Sequence, residues 1–386
     1  MIDKIAQGDC TGCGICADVC PKGCIKMVVN KEGFNIPEID RSECINCGVC
    51  ENVCPSLSSS KEDGNMPIKA YAAWHKCNDV YMDSSSGGAF TALAQFIVEA
   101  GGIVFGAAYD EKGKVCHMGI ENIAEIGKLR RAKYVQSETA GIYIKVKQEV
   151  QKKRPVMFVG TPCQAAAVFR MWHKKPDNLI IVEFICHGLS SHKYFQLGKA
   201  NLERKYKSKI VDLEFHSKRR SWRSNTVHIE LENGKEKELS SFENPYMYGF
   251  FKNITLRESC YHCPVKKEKR NSDIILADFW EIKKIAPKLE KYNGVSMVLV
   301  LTEQGDELLN SVSYDLEMHE VDCQKVCETK KHLKAYNYDM EKRSAFMQDV
   351  EANGYDHAEK TYLKPKIYYV PLKKVKDYIL VKLKRR

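Results

Sequence analysis

The sequence predicts an α+β protein, in which a small cysteine-rich unit precedes a larger α/β core with a mixed, partly parallel sheet. Nine of the 17 cysteines fall within residues 10–54, and eight of these nine have a spacing that repeats. Beyond residue 68, short apolar runs typical of strands alternate with runs whose apolar residues recur at helical spacing. At 386 residues the chain is long enough for two or three such units.

The amino-terminal unit, predicted to span residues 1–55, contains an internal repeat. CTGCGICADVCP occupies residues 10–21 and CINCGVCENVCP occupies residues 44–55. Both copies have the spacing C-x2-C-x2-C-x3-C-P, which is typical of bacterial ferredoxins with two [4Fe–4S] clusters. In such a domain, three cysteines of one run and the last cysteine of the other bind the same cluster, because soft thiolates suit iron–sulfur cubes.

This arrangement divides the eight cysteines into two sets of ligands. The first cluster takes Cys10, Cys13, Cys16 and Cys54. The second cluster takes Cys44, Cys47, Cys50 and Cys20. Zinc knuckles are the alternative, but eight ligands with both trailing prolines match the ferredoxin run better. Neither cluster needs Cys24, which we expect to pack as a small apolar side chain.

Charge and hydropathy restrict the function classes. No run of 18 or more apolar residues occurs, and the first residues lack the basic and apolar regions of a secretory signal, so we expect a cytoplasmic protein with reduced thiols. The net charge is +10, but ten basic residues and one acidic residue lie from Lys360 to Arg386. The other 359 residues carry 50 basic and 49 acidic side chains, so the body lacks the basic footprint of a nucleic-acid-binding protein.

Three further segments complete the predicted organisation. Residues 56–67 have the polar, Ser-, Gly- and Pro-containing composition of a linker. The core is predicted to span residues 68–355, followed by a basic tail at residues 356–386, in which residues 370–386 form a candidate amphipathic helix. Such a helix could rest on an anionic membrane as a peripheral contact or bind an acidic redox partner.

The core elements are predicted in α/β order. We expect helices at 88–100 and 164–172, and strands at 101–109, 155–160, 178–186, 210–217, 226–234, 235–240, 272–280 and 294–302. The strands at 155–160 and 178–186 form a βαβ unit with the helix between them. A right-handed crossover makes such strands parallel, so their carboxyl ends meet at one edge of the sheet.

Four cysteines of the core could therefore meet. Cys163 and Cys186 follow the two parallel strands, and Cys260 and Cys263 form the close pair CYHC. Together they suffice for a third cluster, although four separate packing residues would have the same spacing. Cys163 also lies at a helix start, where the dipole lowers the pKa of a thiol, so it could instead be a nucleophile with His187 as its base. Both interpretations stay open on the residues alone.

Five segments of the core together resemble one known family. They are SSGGAFTAL at 85–93, AKYVQS at 132–137, VGTPCQAAA at 159–167, FICHGLSS at 184–191 and LRESCYHCPVKKEKRNSDIILADFW at 256–280. In order and spacing they are similar to the coenzyme F420 hydrogenase/dehydrogenase beta-subunit family, over roughly residues 68–310. A fused two-cluster ferredoxin domain is common in that family.

The resemblance implies an iron–sulfur flavoprotein oxidoreductase, whose clusters exchange electrons with a flavin that exchanges a hydride with a small molecule. It implies a third [4Fe–4S] cluster near the flavin, held by Cys163, Cys186, Cys260 and Cys263. It implies a flavin, with FAD favoured over FMN, near Ser85, Ser86, Gly87, Gly88, Lys133, Tyr134, Ser137 and Thr161. The glycines could let a phosphate approach a helix start, although SSGG alone also suits an N-cap or turn. No GxGxxG supports a Rossmann NAD site.

The substrate is not specified by these residues, although a deazaflavin coenzyme is one candidate. The implied partner is a ferredoxin-type donor or another enzyme subunit. The alternatives are a non-catalytic electron-transfer subunit and a zinc-stabilised binding module. No side chain can be assigned as a general acid or base.

Three further features have both a structural and a functional interpretation. The basic run HSKRRSWR at 216–223 could bind an anion or be a solvated surface. Asp278 and Trp280 could act at the site or simply pack in the core. Cys323 and Cys327 are expected to be structural, because no further ligands lie near them in the sequence.

Overall fold

The structure is a computed structural model, and it describes residues 2–57, 64–329, 333 and 340–364. Residues 58–63 of the predicted linker and the predicted helix at 370–386 lie outside the described residues. Within the described ranges, no helix has the length and apolar character needed to cross a bilayer.

The described elements alternate between strands and helices through most of the core. The strands are β1 Ile25–Val29, β2 Asn35–Ile39, β3 Lys69–His75, β4 Ile103–Tyr109, β5 Val115–Ile120, β6 Val156–Gly160, β7 Leu179–Phe184, β8 Ile210–Ser217, β9 Thr226–Leu231, β10 Glu236–Leu239, β11 Ile274–Asp278, β12 Ser296–Val300 and β13 Leu316–Val321. The α-helices are α1 Ile15–Asp18, α2 Val49–Asn52, α3 Asn78–Met82, α4 Ala89–Glu99, α5 Ile126–Leu129, α6 Ile142–Gln151, α7 Pro162–Phe169, α8 His192–Tyr206, α9 Pro245–Phe251, α10 Ile282–Ile285, α11 Glu303–Ser311, α12 Cys323–Thr329, α13 Glu341–Asn353 and α14 Tyr355–Tyr362. Short 3-10 turns occur at Ile2–Lys4, Ile123–Glu125, Trp222–Ser224, Glu258–Cys260 and Pro287–Leu289.

An eight-stranded mixed sheet forms the centre of the core, in the order β13-β3-β12-β11-β7-β6-β4-β5. Strands β11, β7, β6 and β4 are parallel neighbours, and the outer pairs are antiparallel. The inner strands are almost continuous apolar runs, because separate apolar clusters cover the sheet on its two faces. The predicted α+β class with a mixed, partly parallel sheet is confirmed.

A second, three-stranded antiparallel sheet has the order β10-β9-β8. It packs with α8, α9, α13 and α14 around its own apolar cluster. The predicted hairpin group at 210–240 is therefore present, and β8 has the predicted bounds. The hairpin β1-β2 belongs to the amino-terminal unit, where it lies beside two short helices.

The turn between β6 and α7 determines where Cys163 lies. The helix begins at Pro162, two residues earlier than predicted, and ends at Phe169. Proline suits the first position because it has no N–H that needs a partner there. The side-chain oxygen of Gln164 accepts hydrogen bonds from the amide and hydroxyl of Thr161, both at 3.0 Å, which closes the turn. Cys163 is therefore held in the first turn of α7, at the carboxyl edge of β6.

Hydrogen bonds to the start of α6 dock the amino-terminal unit on the core. The Asp18 carboxylate accepts from the amides of Gly141 at 2.8 Å and Tyr143 at 3.0 Å, where the helix dipole also favours negative charge. The carbonyl of Cys13 accepts from the hydroxyls of Thr139 at 2.6 Å and Tyr143 at 2.8 Å. The chain around the first cysteines is therefore fixed directly to the core.

A buried ion pair holds the carboxyl end of β7. Glu183 and Arg270 are 1% and 3% exposed, and their charged atoms lie 2.8 Å apart. Burial raises the pKa of Glu183, and the guanidinium of Arg270 opposes that rise only in part. Arg270 also donates to the carbonyl of Lys267 at 2.6 Å, so the segment after the CYHC motif is joined to the strand that leads to Cys186.

Replacing Arg270 with Met should lower the free energy of unfolding by about 3–5 kcal/mol, because it leaves the buried Glu183 without its partner. The control is Glu121→Gln, since the pair of Glu121 with Arg154 is exposed and its loss should cost less than about 1 kcal/mol. Urea unfolding of both variants measures the difference. Equal losses would show that the buried pair does not stabilise the end of β7.

Candidate metal centres and cofactor site

Four cysteines from three segments of the core line one cavity. They are Cys163, Cys186, Cys260 and Cys263. The parallel pairing of β6 with β7 brings the first two together. The third segment is brought to the same place by a bridge between Ser190 and Leu256 and by the Arg257 amide, which donates to Leu189 O at 2.7 Å.

Burial controls the protonation of these thiols. It raises the pKa of Cys163 to about 12, and the Thr161 hydroxyl, 3.2 Å from the Sγ, lowers that pKa only in part. Burial likewise raises the pKa of Cys260 to about 11 and raises the pKa of Cys186 well above its usual range. The expected lowering of the Cys163 pKa is wrong, because burial is the largest influence on this thiol and raises its pKa. A neutral thiol is a weak nucleophile, whereas a bound metal deprotonates a thiol, so the cavity suits metal ligation better.

The imidazole of His187 is held by groups other than a cysteine. Its Nε2 lies 2.6 Å from the side-chain oxygen of Asn253, and its ring centroid lies 5.2 Å from that of Phe250. These contacts orient His187 as part of a polar and aromatic wall. They give no support to its predicted role as a base for Cys163.

The first set of amino-terminal cysteines is gathered in the interior. Its members are Cys10, Cys13, Cys16 and Cys54, and all four are buried. Burial raises the pKa of Cys13, and the nearby Cys54 and Cys16 raise it further. Burial, followed by Cys10 and Cys54, raises the pKa of Cys16 to about 12. The four thiols therefore lie within electrostatic reach of one another, as the ferredoxin spacing predicts.

The second set lines its own cavity. Its members are Cys20, Cys44, Cys47 and Cys50. Cys24 lines this cavity too, with its Sγ 3.4 Å from that of Cys20. Burial would raise the pKa of Cys20, but hydrogen bonds from Cys24 and from nearby amides outweigh burial and lower it. Cys24 is buried as expected, and it also supports a thiolate at Cys20, which the repeat gave no reason to predict.

The three cysteine groups follow one another through the molecule. Cys50 contributes to the raised pKa of Cys16, so the two amino-terminal groups are neighbours. Cys163 contributes to the raised pKa of Cys13, so the first amino-terminal group is also a neighbour of the core cavity. Thr11 itself lines that cavity. The Cys10 group is therefore a neighbour of both the Cys44 group and the Cys163 group.

Arg257 joins the amino-terminal unit to the core cavity, and sequence reasoning did not identify it. Its buried guanidinium donates to the carbonyls of Cys10 at 2.6 Å and Asn35 at 2.8 Å, and to the side-chain oxygen of Gln136 at 3.0 Å. A Cβ on Gly12 would lie 2.5 Å from this guanidinium, and the φ of Gly12 is +65°, so only glycine fits there. Its position three residues before Cys260 was the one feature of the sequence that could have indicated a role near the cavity.

The residues with implied flavin contacts begin at the SSGG loop before α4. Gly88 precedes α4 with a φ of 91°, and no side chain caps the helix. A Cβ on Gly87 would lie 2.1 Å from the carbonyl oxygen of Ala73, so the loop packs tightly on β3. Ser85 Oγ accepts from the amide of Ala132, and Ser86 Oγ donates to Val295 O. The loop is therefore rigidly held, and the first amides of α4 are free of a side-chain cap.

Cationic side chains surround the SSGG loop. The Lys218 ammonium donates to the carbonyls of Tyr81 and Ser86. Burial lowers the pKa of Lys218 to about 7. Arg130 and Arg131 both pair with Asp83 beside the loop. Part of the basic run at 216–223 is therefore buried against this loop rather than being a solvated surface.

The 132–137 segment connects the SSGG loop to the Cys163 turn. Lys133 donates to the carbonyls of Lys128, Arg130 and Arg131, at 3.2, 2.6 and 3.2 Å, and burial lowers its pKa to about 7. The Lys133 ammonium therefore uses its donors within its own loop. Tyr134 packs edge-on against the ring of Phe250, with centroids 5.1 Å apart.

Ser137 and Thr161 lie on the Cys163 side of this segment. The side-chain nitrogen of Gln164 donates to Ser137 Oγ at 3.0 Å, and its side-chain oxygen accepts from the Thr161 hydroxyl. That hydroxyl lies 3.2 Å from Cys163 Sγ. The implied flavin residues thus form a connected set between the uncapped start of α4 and the cysteine cavity.

Asp278 and Trp280 both contact Trp222. Trp222 and Trp280 stack with centroids 4.5 Å apart at an interplanar angle of 7°, and the Trp222 indole donates to Asp278 at 3.2 Å. Cys323 and Cys327 on α12 pack against an apolar cluster of the large sheet, in keeping with their expected structural role.

Two family models match the chain. Residues 153–325 match the model that describes the carboxyl terminus of the coenzyme F420 hydrogenase/dehydrogenase beta subunit. This part of the chain is therefore similar to that family. Residues 9–57 match the 4Fe-4S dicluster domain, so the predicted family with a fused ferredoxin domain is confirmed. The family and the dicluster domain together identify an iron–sulfur redox protein related to hydrogenase and dehydrogenase beta subunits.

A solved structure also aligns with the chain. It is a chain of the xenon-derivatised F420-reducing [NiFe] hydrogenase complex from Methanosarcina barkeri, with 16% sequence identity and a TM-score of 0.47. The alignment covers 78% of this chain and 93% of that chain. No curated protein shows significant sequence similarity to this one.

Cys163→Ser should remove about four irons per chain if Cys163 is a cluster ligand, and none if it is a nucleophile. Cys260→Ser should cause the same loss, because both thiols line the same cavity. Cys116→Ser is the control, since Cys116 lies on β5 and does not line the cavity. Iron analysis of anaerobically purified variants measures the difference, and full iron in both cavity variants would exclude a cluster there.

Proposed function

We propose that this chain is an iron–sulfur flavoprotein oxidoreductase, which passes electrons between a ferredoxin-type donor and a flavin that exchanges a hydride with a small molecule. The observation that supports this most strongly is the succession of three cysteine groups, from the Cys44 group through the Cys10 group to the Cys163 group. Each group offers four thiols, the number that a [4Fe–4S] cluster needs. The amino-terminal pair corresponds to the dicluster domain, and the third group is the proposed addition.

The ligand sets remain those of the sequence prediction. A bound flavin joins one-electron iron–sulfur carriers to a two-electron substrate. The protein's part is to hold the groups at fixed positions and to offset the charge of the thiolates. Arg257 does both, because it bonds to the amino-terminal unit and its charge lowers the pKa of Cys163 in part. Lys266 lines the core cavity, and its charge lowers the pKa of Cys186 in part.

The flavin is proposed to lie along the path from the SSGG loop to Thr161. The uncapped start of α4 offers backbone amides and a favourable dipole to a phosphate. Lys218, Arg130 and Arg131 lie beside it, and a bound phosphate would favour the charged form of Lys218. Ser137, through Gln164, connects the other end of the path with the Cys163 turn. These residues fit an anionic cofactor next to the cysteine cavity, and we favour FAD over FMN for it.

The domain division proposed with this function follows the sequence prediction. Residues 1–55 carry the two amino-terminal clusters, and residues 68–355 carry the third cluster and the flavin. The basic tail at 356–386 begins within α14, which packs in the core, and the residues beyond α14 are proposed as a contact for a redox partner or an anionic membrane. The substrate belongs to the class of small hydride acceptors or donors, for which a deazaflavin coenzyme is the first candidate.

Anaerobic purification with iron, sulfide and flavin analysis tests the proposed cofactors. We expect about twelve irons, with matching sulfide, and one flavin per chain. About eight irons would contradict the third cluster. A protein without flavin after reconstitution with FAD or FMN would contradict the flavin site. A colourless, zinc-containing protein would contradict both.

A second candidate function is that of a non-catalytic electron-transfer subunit. The family description favours it, because it names the beta subunit of a larger enzyme. The two functions differ in what the purified chain does alone. Reduction of a hydride acceptor by the isolated, reconstituted chain, with a reduced ferredoxin as donor, would exclude the subunit function, and activity that requires a partner chain would support it.

A further inference from the structure

A second type of metal-ligating group occurs on the three-stranded sheet, away from the cysteines. His228 and Glu230 are two residues apart on β9, and Glu236 lies directly opposite Glu230 on β10. One potential ligand atom from each of the three side chains lies within 4.8 Å of the other two. We propose that these three residues bind a divalent metal ion of the zinc class.

The imidazole of His228 is placed as a metal ligand would be. It is 1% exposed, and its Nε2 has no hydrogen-bond partner among the described residues. A buried polar atom without a partner costs free energy, so we expect a further group to bind it. The Nε2 faces the carboxylates of Glu230 at 3.5 Å and Glu236 at 3.8 Å.

The other ring nitrogen fixes the tautomer. The Nδ1 of His228 lies 2.9 Å from the carboxylate of Glu238. A carboxylate accepts hydrogen bonds, so Nδ1 carries the proton and Nε2 presents a lone pair. Histidines that bind metals commonly donate their second N–H to a carboxylate in this way. Ser217 donates to the same Glu238 oxygen at 3.0 Å, which fixes the orientation of Glu238 in turn.

The charges on this face of the sheet also favour a cation. Glu230 and Glu236 are cross-strand partners, and like charges directly opposite each other destabilise a strand pair. Asp212 on β8 lies opposite Glu230 on its other side, which adds a third carboxylate to the same row. A divalent ion held between β9 and β10 would offset this repulsion and hold the hairpin together.

The distances and donor types indicate which ion fits. Ligands about 2.1 Å from a tetrahedral Zn²⁺ lie about 3.4 Å apart, close to the separations between His228 and the two carboxylates. One imidazole and two carboxylates leave the fourth position to water, and this donor set suits Zn²⁺ and related divalent ions better than iron–sulfur clusters. The site contains no thiol, so it is chemically distinct from the three cysteine groups.

Equilibrium dialysis against Zn²⁺ tests the proposal on the full chain, purified anaerobically with its iron in place. The wild type should bind one more Zn²⁺ than His228→Gln and Glu236→Gln at the same free concentration. Zn²⁺ should also raise the thermal midpoint of the wild type and leave that of the two variants unchanged. The side chain of Glu236 is 65% exposed, so Glu236→Gln should fold normally. This variant tests the proposed site if His228→Gln fails to fold.

The chain offers a matched control in β13. His319 and Glu317 are also two residues apart on a strand, with charged atoms 3.1 Å apart, but both are only partly buried. His319→Gln should bind as much Zn²⁺ as the wild type. Equal Zn²⁺ content in the wild type, His228→Gln and Glu236→Gln would overturn the proposal and leave His228 as a purely electrostatic partner of its glutamates.

Discussion

The buried guanidinium of Arg257 is the contact on which the arrangement of the three cysteine groups depends. It bonds to the carbonyls of Cys10 and Asn35 in the amino-terminal unit and to Gln136 in the core. Gln136 itself donates to the carbonyls of Thr11 and Gly12. Buried carbonyls and a buried charge both need such partners, so separating the two units would leave several polar groups unsatisfied at once.

The same contact links structure to redox chemistry. Arg257 belongs to the segment that carries Cys260 and Cys263, and it touches the loop that carries Cys10 and Cys13. Burial makes the thiols of both groups hard to ionise, and this one positive charge reduces that cost for Cys163 and Cys260. Loading metal into either group would displace thiol protons, so assembly of the clusters should depend on pH and be coupled to folding around them.

Features that depend on local patterning were predictable from the sequence. The βαβ unit containing Cys163 followed from apolar periodicity and the Gly-Thr-Pro turn, and the parallel strands then brought Cys186 beside it. The ferredoxin repeat gave the grouping of the eight amino-terminal cysteines, because the two short loops carry all the information needed.

Features that depend on tertiary contacts were not predictable. The placement of Cys260 and Cys263 relies on a bridge between Ser190 and Leu256, which are far apart in the sequence. The prediction for the Cys163 pKa was wrong because burial, which raises this pKa, is a property of the fold and not of the local sequence. Arg257 and His228 looked like ordinary polar residues in the sequence, and their roles arise only from the neighbours that bury them. The sequence offered two interpretations of the basic run that contains Lys218, and the burial of Lys218 in the fold distinguishes them.

We propose that docking of the amino-terminal unit makes the Cys10 group and the Cys163 group neighbours in an electron path. Low-temperature EPR of the anaerobically reduced full chain tests it most directly, because neighbouring reduced clusters split each other's signals. We expect split signals in the wild type, and the splitting that involves the core cluster should disappear in Cys163→Ser. Spectra of the wild type that are a simple sum of isolated cluster signals would contradict it.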